Sequence, residues 1–253
     1  MEIDIAAPTR HRFYLLKFVT RGAGSHWVDF EKYSVSQGDV LQVRPGQVHA
    51  FDAESDHEAL LLVFRPETVS PEQIRRLAVY LDAPFSLEPR DHTSMVQLLE
   101  FIQQMEEVPE ELRLTSMAPG LLQAILSGLT DLYLRRNEET RGPAHNRASE
   151  LVFGLENVLM DEPIRQSLSA YASQLHVTPR TLARACRTIR GISPKRLVDL
   201  HCVLEAKRKL VLGDETVEEI AFDLGFSEAT NFVKFFKRIA GTTPEAFRQG
   251  NGS

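Results

Sequence analysis

The spacing of hydrophobic residues divides the chain into a strand-rich N-terminal part and a helical remainder. Apolar runs and alternations within residues 11–65 predict short strands, with turns at Arg21 to Gly24 and at Pro45-Gly46. Further along, apolar residues recur every three to four positions, and the segments Ser94–Glu107 and Ser116–Asn137 predict a helical hairpin. The predicted strands are Phe13–Val19, Ser25–Phe30, Gly38–Val43 and Glu58–Phe64.

A polar stretch separates these two parts. Glu138–Arg147 contains Gly-Pro and has no hydrophobic period, so it is the best linker candidate in the chain. We therefore predict an N-terminal domain over residues 1–137, a linker over 138–147 and a C-terminal domain over 148–253. The predicted helices of the last domain are roughly 148–160, 168–175, 178–190, 194–212, 217–224, 228–240 and 244–249.

One pattern occurs twice in the C-terminal hundred residues. Ala172–Thr178 is matched 49 positions later by Ala221–Ser227, and Gly191–Pro194 is matched 50 positions later by Gly241–Pro244. Each half reads as a short helix, a tight turn, a longer helix, a glycine stop and a proline restart. This order predicts two helix-turn-helix units in tandem.

Individual residues support the turn and the caps of each unit. Small Ala172 and Ala221 allow close helix crossing, and Gly225 stands where the turn needs a positive φ. His176 takes the equivalent place in the first unit, with a looser fit. Predicted N-caps are Thr178, Ser193, Thr216, Ser227 and Thr243.

A single long helix joins the two units. Pro194–Leu212 would span roughly 28 Å at 1.5 Å per residue, which would place the two recognition helices about one DNA turn apart. Its predicted apolar stripe is Leu197, Leu200, Leu204 and Val211.

The second helix of each unit offers side chains to DNA. Arginine binds guanine bidentately or clamps phosphates, asparagine suits adenine, and a threonine methyl suits thymine. A solvated basic face is the alternative for the arginines of the first unit. The candidate DNA-contacting residues are Arg180, Thr181, Ala183, Arg184, Arg187, Glu228, Ala229, Thr230, Asn231, Lys234, Lys237 and Arg238.

Charge and cysteine content add little to this picture. The net charge of −6 comes from the N-terminal part, since residues 1–147 hold 22 acidic and 15 basic side chains. Cys186 and Cys202 lie in apolar helical patterns and are expected to be reduced, buried thiols. No leader or membrane-length apolar run is present, so we expect a soluble cytoplasmic protein with no membrane partner.

The segment from about Ser167 to Gln249 resembles the DNA-binding domain of the AraC/XylS family of transcription regulators, most closely in ETVEEIAFDLGFSEATNFVKFFKRIAGTTPEAFR. The resemblance implies DNA contacts from Arg180, Ala183 and Arg184 in the first unit. In the second it implies contacts from Ala229, Thr230, Asn231 and Lys234. The segment Gly38–Phe51 (GDVLQVRPGQVHAF) resembles the second motif of the cupin-like barrel that is the family's usual partner domain.

The resemblance implies an α+β protein of two domains. The first would be a cupin-like β-barrel with a helical hairpin, and the second an all-α domain with two helix-turn-helix units joined by a long helix. Implied partners are double-stranded promoter DNA, RNA polymerase, a small-molecule effector and a second copy of the chain. The surplus of apolar residues in helices 94–137 favours a dimer seam there, with extra packing on the barrel as the alternative.

The residues of the barrel do not form a convincing metal site. Cupin enzymes need a His-x-His pair and a carboxylate, but this chain offers His26 and His49, with Asp29 expected on the opposite strand face from His26. We therefore expect no catalytic residue, no metal and no cofactor, and we prefer an effector-responsive regulator. The alternatives are a cupin metalloenzyme and a constitutive DNA-binding protein.

The candidate effector-binding residues are Tyr14, His26, Trp27, Arg44 and His49. Their histidine and aromatic side chains, with Arg44 as a carboxylate partner, suit a small aromatic or sugar-like ligand. A plain core role is the alternative, and it is slightly favoured for Tyr14 and Trp27.

Overall fold

The computed structural model describes residues 8–51, 56–80, 84–106, 117–138, 143–161 and 166–251. The chain divides into two compact units, Met1–Thr140 and Arg141–Ser253. None of the helices within these described ranges is long and apolar enough to cross a bilayer.

A seven-stranded sheet forms the core of the first unit. Its main path runs β1-β5-β2-β4-β7, and β3 and β6 also pair with β2, so that β2 is the strand around which the sheet is organised. The strands are β1 (Thr9–Arg10), β2 (Tyr14–Val28), β3 (Glu31–Ser36), β4 (Asp39–Val43), β5 (Val48–Phe51), β6 (Asp56–Phe64) and β7 (Phe85–Ser86).

The predicted turn at Arg21 to Gly24 is wrong, because these residues lie inside the single 15-residue strand β2. The pairing of β2 with β6 shifts between Val19 and Arg21, which marks a β-bulge. Gly22 has a φ of +75°, and a Cβ there would overlap the carbonyl oxygen of Asp56. The glycine therefore serves a bulge and a close strand approach instead of a chain reversal.

This bulge decides which residues of β2 face the interior. Strand residues alternate between faces, so one extra residue reverses the assignment beyond it. Leu15 and Val19 before the bulge and Val28 after it all pack in one buried cluster. Trp27, between His26 and Val28, is 40% exposed.

Helices cover the other face of the sheet, as the predicted barrel with a helical hairpin requires. Tyr14, Leu16 and Phe18 of β2 pack against helical residues such as Ile125 and Leu129. The helices described in this unit are α1 (Pro71–Tyr80), α2 (Pro89–Glu106) and α3 (Ala118–Glu138), and a 3-10 turn lies at Pro66–Thr68.

The second unit is helical, as predicted. Its helices are α4 (Pro143–Asp161), α5 (Leu168–Gln174), α6 (Pro179–Arg190), α7 (Pro194–Leu212), α8 (Val217–Asp223), α9 (Ala229–Ala240) and α10 (Pro244–Asn251). Helix α4 begins at Pro143, five residues before the helix start predicted at residue 148. A proline at the first helical position starts this helix, and Ala148 and Leu151 pack on the core of the second unit.

Two separate hydrophobic clusters support the two helix-turn-helix units. One joins α4, α5 and α6 to the start of α7 through residues such as Tyr171, Leu182 and Val198. The other joins the rest of α7 to α8, α9 and α10 through residues such as Ala206 and Phe232. Each unit therefore has its own core, and α7 contributes to both.

The predicted stripe on α7 is displaced. Leu200 is exposed, and Leu197, Leu204 and Val211 are only partly buried. The buried face includes Val198, Cys202, Val203, Ala206 and Leu210. A helix that packs against neighbours on two sides has no single polar face, so its hydrophobic period does not identify the buried stripe.

Candidate DNA interface and effector site

The two helix-turn-helix units have closely matching turns. Val177 N–H donates to Ala172 O at 2.9 Å, and Phe226 N–H donates to Ala221 O at the same distance. His176 and Gly225 occupy equivalent positions with φ values of 54° and 82°. The second unit thus fills its left-handed position with glycine, whereas the first uses a histidine, at a cost in backbone strain.

Side-chain caps define where the helices of both units begin and end. Thr178 Oγ1 accepts Thr181 N–H at 3.1 Å at the start of α6, and Thr216 forms a complete capping box with Glu219 at α8. Gly191 and Gly241 end α6 and α9 in the left-handed conformation. These caps, together with Ser193 and Thr243, confirm the predicted boundaries.

The predicted N-cap at Ser227 is wrong. Helix α9 starts at Ala229, its N-cap is Glu228, and the Glu228 side chain makes no capping hydrogen bond. The preceding turn is one position longer than in the first unit, where Thr178 caps directly. The first backbone N–H groups of α9 consequently have no cap from Glu228, and a backbone amide there is suited to a DNA phosphate.

The first recognition helix, α6, presents a basic surface. Arg180, Arg184 and Arg187 are exposed, while Ala183 and Thr181 are partly buried. The Thr181 hydroxyl lies 2.8 Å from Thr178 Oγ1, within the N-cap. As predicted, the opposite side is packed, with Leu182, Ala185, Cys186 and Ile189 on the core.

The second recognition helix, α9, has a more varied surface. Thr230, Asn231, Lys234 and Lys237 are exposed, and Ala229 packs partly against the core below it. Asn231 Nδ2 lies 3.5 Å from Glu228 Oε2, so these two candidates are neighbours at the start of the helix. Phe232, Phe235, Phe236 and Ile239 form the packed side, as predicted.

Arg238 also makes contacts within the protein. Its guanidinium lies over the Phe235 ring at 5.5 Å, and Nη2 is 3.8 Å from Oδ2 of the buried Asp199 on α7. Asp199 and Phe235 therefore restrain the orientation of this arginine.

Within the N-terminal domain, two of the predicted effector residues are in contact. His26 Nε2 and His49 Nδ1 are 3.2 Å apart, and His49 Nε2 lies 3.3 Å from Thr9 Oγ1. Both histidines are fully buried, and burial lowers the pKa of His26 to about 3 and that of His49 to about 4. Both imidazoles are therefore neutral at pH 7.

The other three effector candidates lie elsewhere. Tyr14 stacks on Phe64 beneath the helices, on the opposite face of the sheet. Trp27 points outward, where Lys32 lies over its ring at 5.6 Å, so the core assignment preferred for Trp27 is wrong. Arg44 follows β4 in a turn, and its backbone N–H donates to Gln47 Oε1.

Asp29 is not in a strand, contrary to the prediction. Strand β2 ends at Val28, and Asp29 has a φ of 50°. Its carboxylate accepts hydrogen bonds from Gln47 Nε2 at 2.7 Å and from the backbone N–H of Val48 at 3.1 Å. The aspartate thereby holds the start of β5, from which His49 extends into the interior.

Lys17 is a buried residue of this site that the sequence analysis missed. Its side chain has no exposed surface, and Nζ lies 4.9 Å from the centre of the Phe51 ring, against which His26 also packs at 4.6 Å. The available signal was a lone lysine between Leu16 and Phe18 within the first predicted strand. His11 and His57 were also missed; burial lowers the pKa of each.

Within the described residues, no group of three histidine, cysteine or carboxylate side chains is arranged to hold a metal ion. Cys186 and Cys202 are free, buried thiols, as predicted, and burial raises the pKa of Cys186 to about 11. Neither thiol belongs to the barrel.

Comparison with known proteins gives two family matches. Residues 4–122 match the AraC-like ligand binding domain, and residues 171–250 match the Helix-turn-helix domain. The HTH-type transcriptional activator RhaS of Citrobacter koseri is 25% identical over 250 residues, covering 95% of this chain and 86% of that protein. RhaS of Escherichia coli O1:K1 is 26% identical over the same shares.

Two solved structures are similar to parts or all of the chain. The DNA-binding domain of AdpA, a global transcriptional factor solved in complex with a target DNA, is 26% identical with a TM-score of 0.37, covering 40% of this chain and 90% of that one. ToxT from Vibrio cholerae is 11% identical with a TM-score of 0.47, covering 98% of this chain and 94% of that one. The two family models together match most of the chain, and this chain belongs to the AraC family of DNA-binding transcription regulators.

Proposed function

We propose that this chain is a dimeric regulator that binds specific promoter DNA through α6 and α9 and responds to a small molecule held in the N-terminal barrel. The observation that carries the proposal is the pair of matched turns, each followed by a helix with a packed inner side and basic residues on its outer side. Two such units on one rigid connector suit successive major grooves of one duplex.

The division of labour between the units follows from their side chains. Arg180 and Arg184 of α6 are long donors that reach base edges, whereas Ala229 and Thr230 of α9 offer short, apolar contacts. We assign Arg187, Lys234, Lys237 and Arg238 to phosphate contacts, which fix register without reading sequence. Sequence discrimination therefore depends mainly on the first unit.

We further propose that the chain activates transcription and contacts RNA polymerase in the cytoplasm. The RhaS relatives, similar over 95% of this chain, are named transcriptional activators.

The test is a comparison of specific and random DNA. Sites selected by the full chain from a random duplex library would be measured by fluorescence anisotropy at about 150 mM salt, beside a scrambled duplex. We expect the selected site to bind about a thousandfold more tightly, as specific regulators do. Equal affinity for the two duplexes would contradict the proposal.

The double variant Arg180→Ala/Arg184→Ala tests this assignment, because it removes the two long side chains and leaves the packed side of α6 intact. It should lose most of the discrimination while retaining binding to the scrambled duplex. Repeating both measurements with candidate effectors then separates a responsive regulator from a constitutive one.

A further inference from the structure

The interior of the N-terminal barrel contains a buried cation that has no counter-ion among the described residues. Lys17 has no exposed surface, and its Nζ has no hydrogen-bond partner among the described residues. A buried ammonium ordinarily pairs with a carboxylate or accepts a large desolvation cost. The Lys17 ammonium is therefore a candidate binding site for an anion.

We propose that this interior binds a small organic monocarboxylate, with its carboxylate at Lys17 Nζ and His26 Nδ1 and its apolar body against Phe51. The inference rests on the proposed function, of which it names the effector class. It replaces Arg44 with Lys17 as the group that recognises the acid.

The groups around Lys17 leave the site electropositive. His26, His49 and His57 all interact electrostatically with the Lys17 ammonium, and all are bases. The nearby acids are otherwise engaged: Asp29 accepts bonds from Gln47 and Val48 N–H, and Asp56 lies next to His57. Among the residues that the structure describes, Nζ therefore has no competing anion, and an entering carboxylate would meet a single positive charge.

A hydrogen-bonded chain presents the second donor. When the Thr9 hydroxyl donates to His49 Nε2, His49 Nδ1 donates to His26 Nε2. His26 Nδ1 then carries a proton that has no acceptor within the described part of the chain. In the opposite tautomer His26 Nδ1 is an acceptor. A carboxylate selects the first arrangement, because only that one offers it a donor.

The remaining surroundings favour an apolar or aromatic acid. Phe51 contacts both Lys17 and His26, and its ring makes an edge contact with His26. Leu61 lies directly opposite Lys17 across the β2–β6 ladder, so it shares that sheet face, and it is 41% exposed. A neutral sugar would leave the ammonium without a counter-charge, and a metal cation would be repelled by it.

The experiment uses paired probes that differ in charge but hardly in shape. Isothermal titration calorimetry of the full chain would compare benzoate with benzamide and acetate with acetamide, for wild type, Lys17→Met and Lys32→Met. Lys32 is the matched control, because it also lies over an aromatic ring, that of Trp27, but on the outer surface.

We expect wild type and Lys32→Met to bind benzoate and not benzamide, and Lys17→Met to bind benzoate about tenfold or more weakly, the loss typical of a hydrogen bond to a charged group. Equal binding of acid and amide, equal binding by wild type and Lys17→Met, or no binding of either acid would each overturn the proposal. His26→Phe, which keeps a ring against Phe51, should weaken benzoate binding as well.

The thermal midpoint of each variant, read from the fluorescence of Trp27, shows whether it is folded. Failure of this proposal is separable from failure of the proposed function. Acid binding without any change in DNA affinity would refute the response to effector and leave this site intact. Sequence-specific DNA binding without acid binding would refute this acid site and leave the DNA-binding function intact.

Discussion

Two basic side chains serve this molecule in opposite environments. Arg184 is exposed on α6, where water stabilises its charge, whereas the side chain of Lys17 has no exposed surface. The exposed charge of Arg184 has little effect on the stability of the fold. The buried charge of Lys17 lowers that stability, so its presence needs a functional reason.

The first residue-scale prediction concerns base reading. Arg184→Ala should weaken binding to the selected promoter site by about 1–3 kcal/mol, because a bidentate arginine–guanine contact is lost, with a much smaller loss on scrambled DNA. Anisotropy titrations at fixed salt would measure both. Arg90→Ala, an exposed arginine on α2, should change neither. Equal losses on both duplexes would make Arg184 a phosphate contact.

The second residue-scale prediction concerns the effect of Lys17 on the stability of the fold. Burial lowers the pKa of Lys17 from 10.5 to about 8, so at pH 7 the folded barrel carries a penalty for the charged form. Lys17→Met should raise the free energy of unfolding by about 3 kcal/mol. Urea unfolding followed by Trp27, the chain's single tryptophan, reports this directly.

The advantage of Lys17→Met should shrink as the pH rises from 8 to 10.5. Over that range the folded lysine loses its proton before the unfolded one, which stabilises wild type. The exposed Lys32→Met should alter stability by less than about 0.5 kcal/mol. A Lys17→Met variant less stable than wild type would show that the buried ammonium does not destabilise the barrel.

The third residue-scale prediction concerns the loss of folding stability at low pH caused by His26 and His49. The pKa values of His26 and His49 are about 3 and 4 when folded and 6.5 when unfolded, so the unfolded chain takes up protons first as the pH falls. Between pH 7 and pH 5 each histidine should cost about 2 kcal/mol of stability. His26→Phe should remove about half of that drop, as measured by urea midpoints at the two pH values. An unchanged pH dependence would show that His26 titrates normally.

At the scale of elements, local backbone conformation decides how the two DNA-binding units differ. Both turns use the same backbone hydrogen bonds, but one holds His176 and the other Gly225 in the left-handed region. A bulge in β2 has a comparable effect in the barrel, since it sends Trp27 outward and His26 inward. In each case one residue's backbone sets the orientation of a whole element.

The turns provide a reciprocal prediction. His176→Gly should stabilise the helical unit by about 1 kcal/mol, because glycine adopts a positive φ without a steric penalty, and Gly225→Ala should destabilise it by about 1–2 kcal/mol. Thermal unfolding followed by circular dichroism at 222 nm would compare the two variants with wild type. Shifts of the same sign would show that the left-handed position is not what limits either turn.

At the scale of the whole molecule, the dimer proposal depends on what the α2–α3 hairpin leaves exposed. Most of its apolar residues, including Leu99, Ile125 and Leu129, are buried against the sheet. This packing accounts for much of the surplus that the sequence indicated. Phe101 remains 43% exposed, and Leu121 and Leu134 are partly exposed. A seam through α2 and α3 would therefore centre on these side chains.

A substitution at Phe101 tests that seam. Phe101→Arg should weaken self-association of the full chain about thirtyfold, the effect of losing about 2 kcal/mol from a central aromatic contact. Sedimentation equilibrium measures it. Phe222→Arg is the control, because Phe222 is 51% exposed on α8 in the other unit. A monomer in both wild type and Phe101→Arg, or equal weakening by the two substitutions, would refute the seam.

Much of the helical unit followed from the sequence alone. Caps such as Thr178 and Thr216, glycine stops at Gly191 and Gly241, and the packed sides of α6 and α9 depend on residues within a few positions of one another. Such short-range signals are legible without any knowledge of tertiary contacts. The repeat at 49 and 50 positions then indicated two units, and hence the DNA-binding class.

The remaining features depend on the tertiary structure, because they arise from contacts between residues that are distant in the sequence. The bulge between Val19 and Arg21 depends on pairing with β6, and the buried stripe of α7 depends on two separate cores. The apolar face of α4 packs against α5, α6 and α7. The sequence showed Lys17 only as a single charged residue within an apolar strand. Its burial beside Phe51 and His26 arises from strands that meet only in the fold, and so the candidate effector site could not be assembled from sequence spacing.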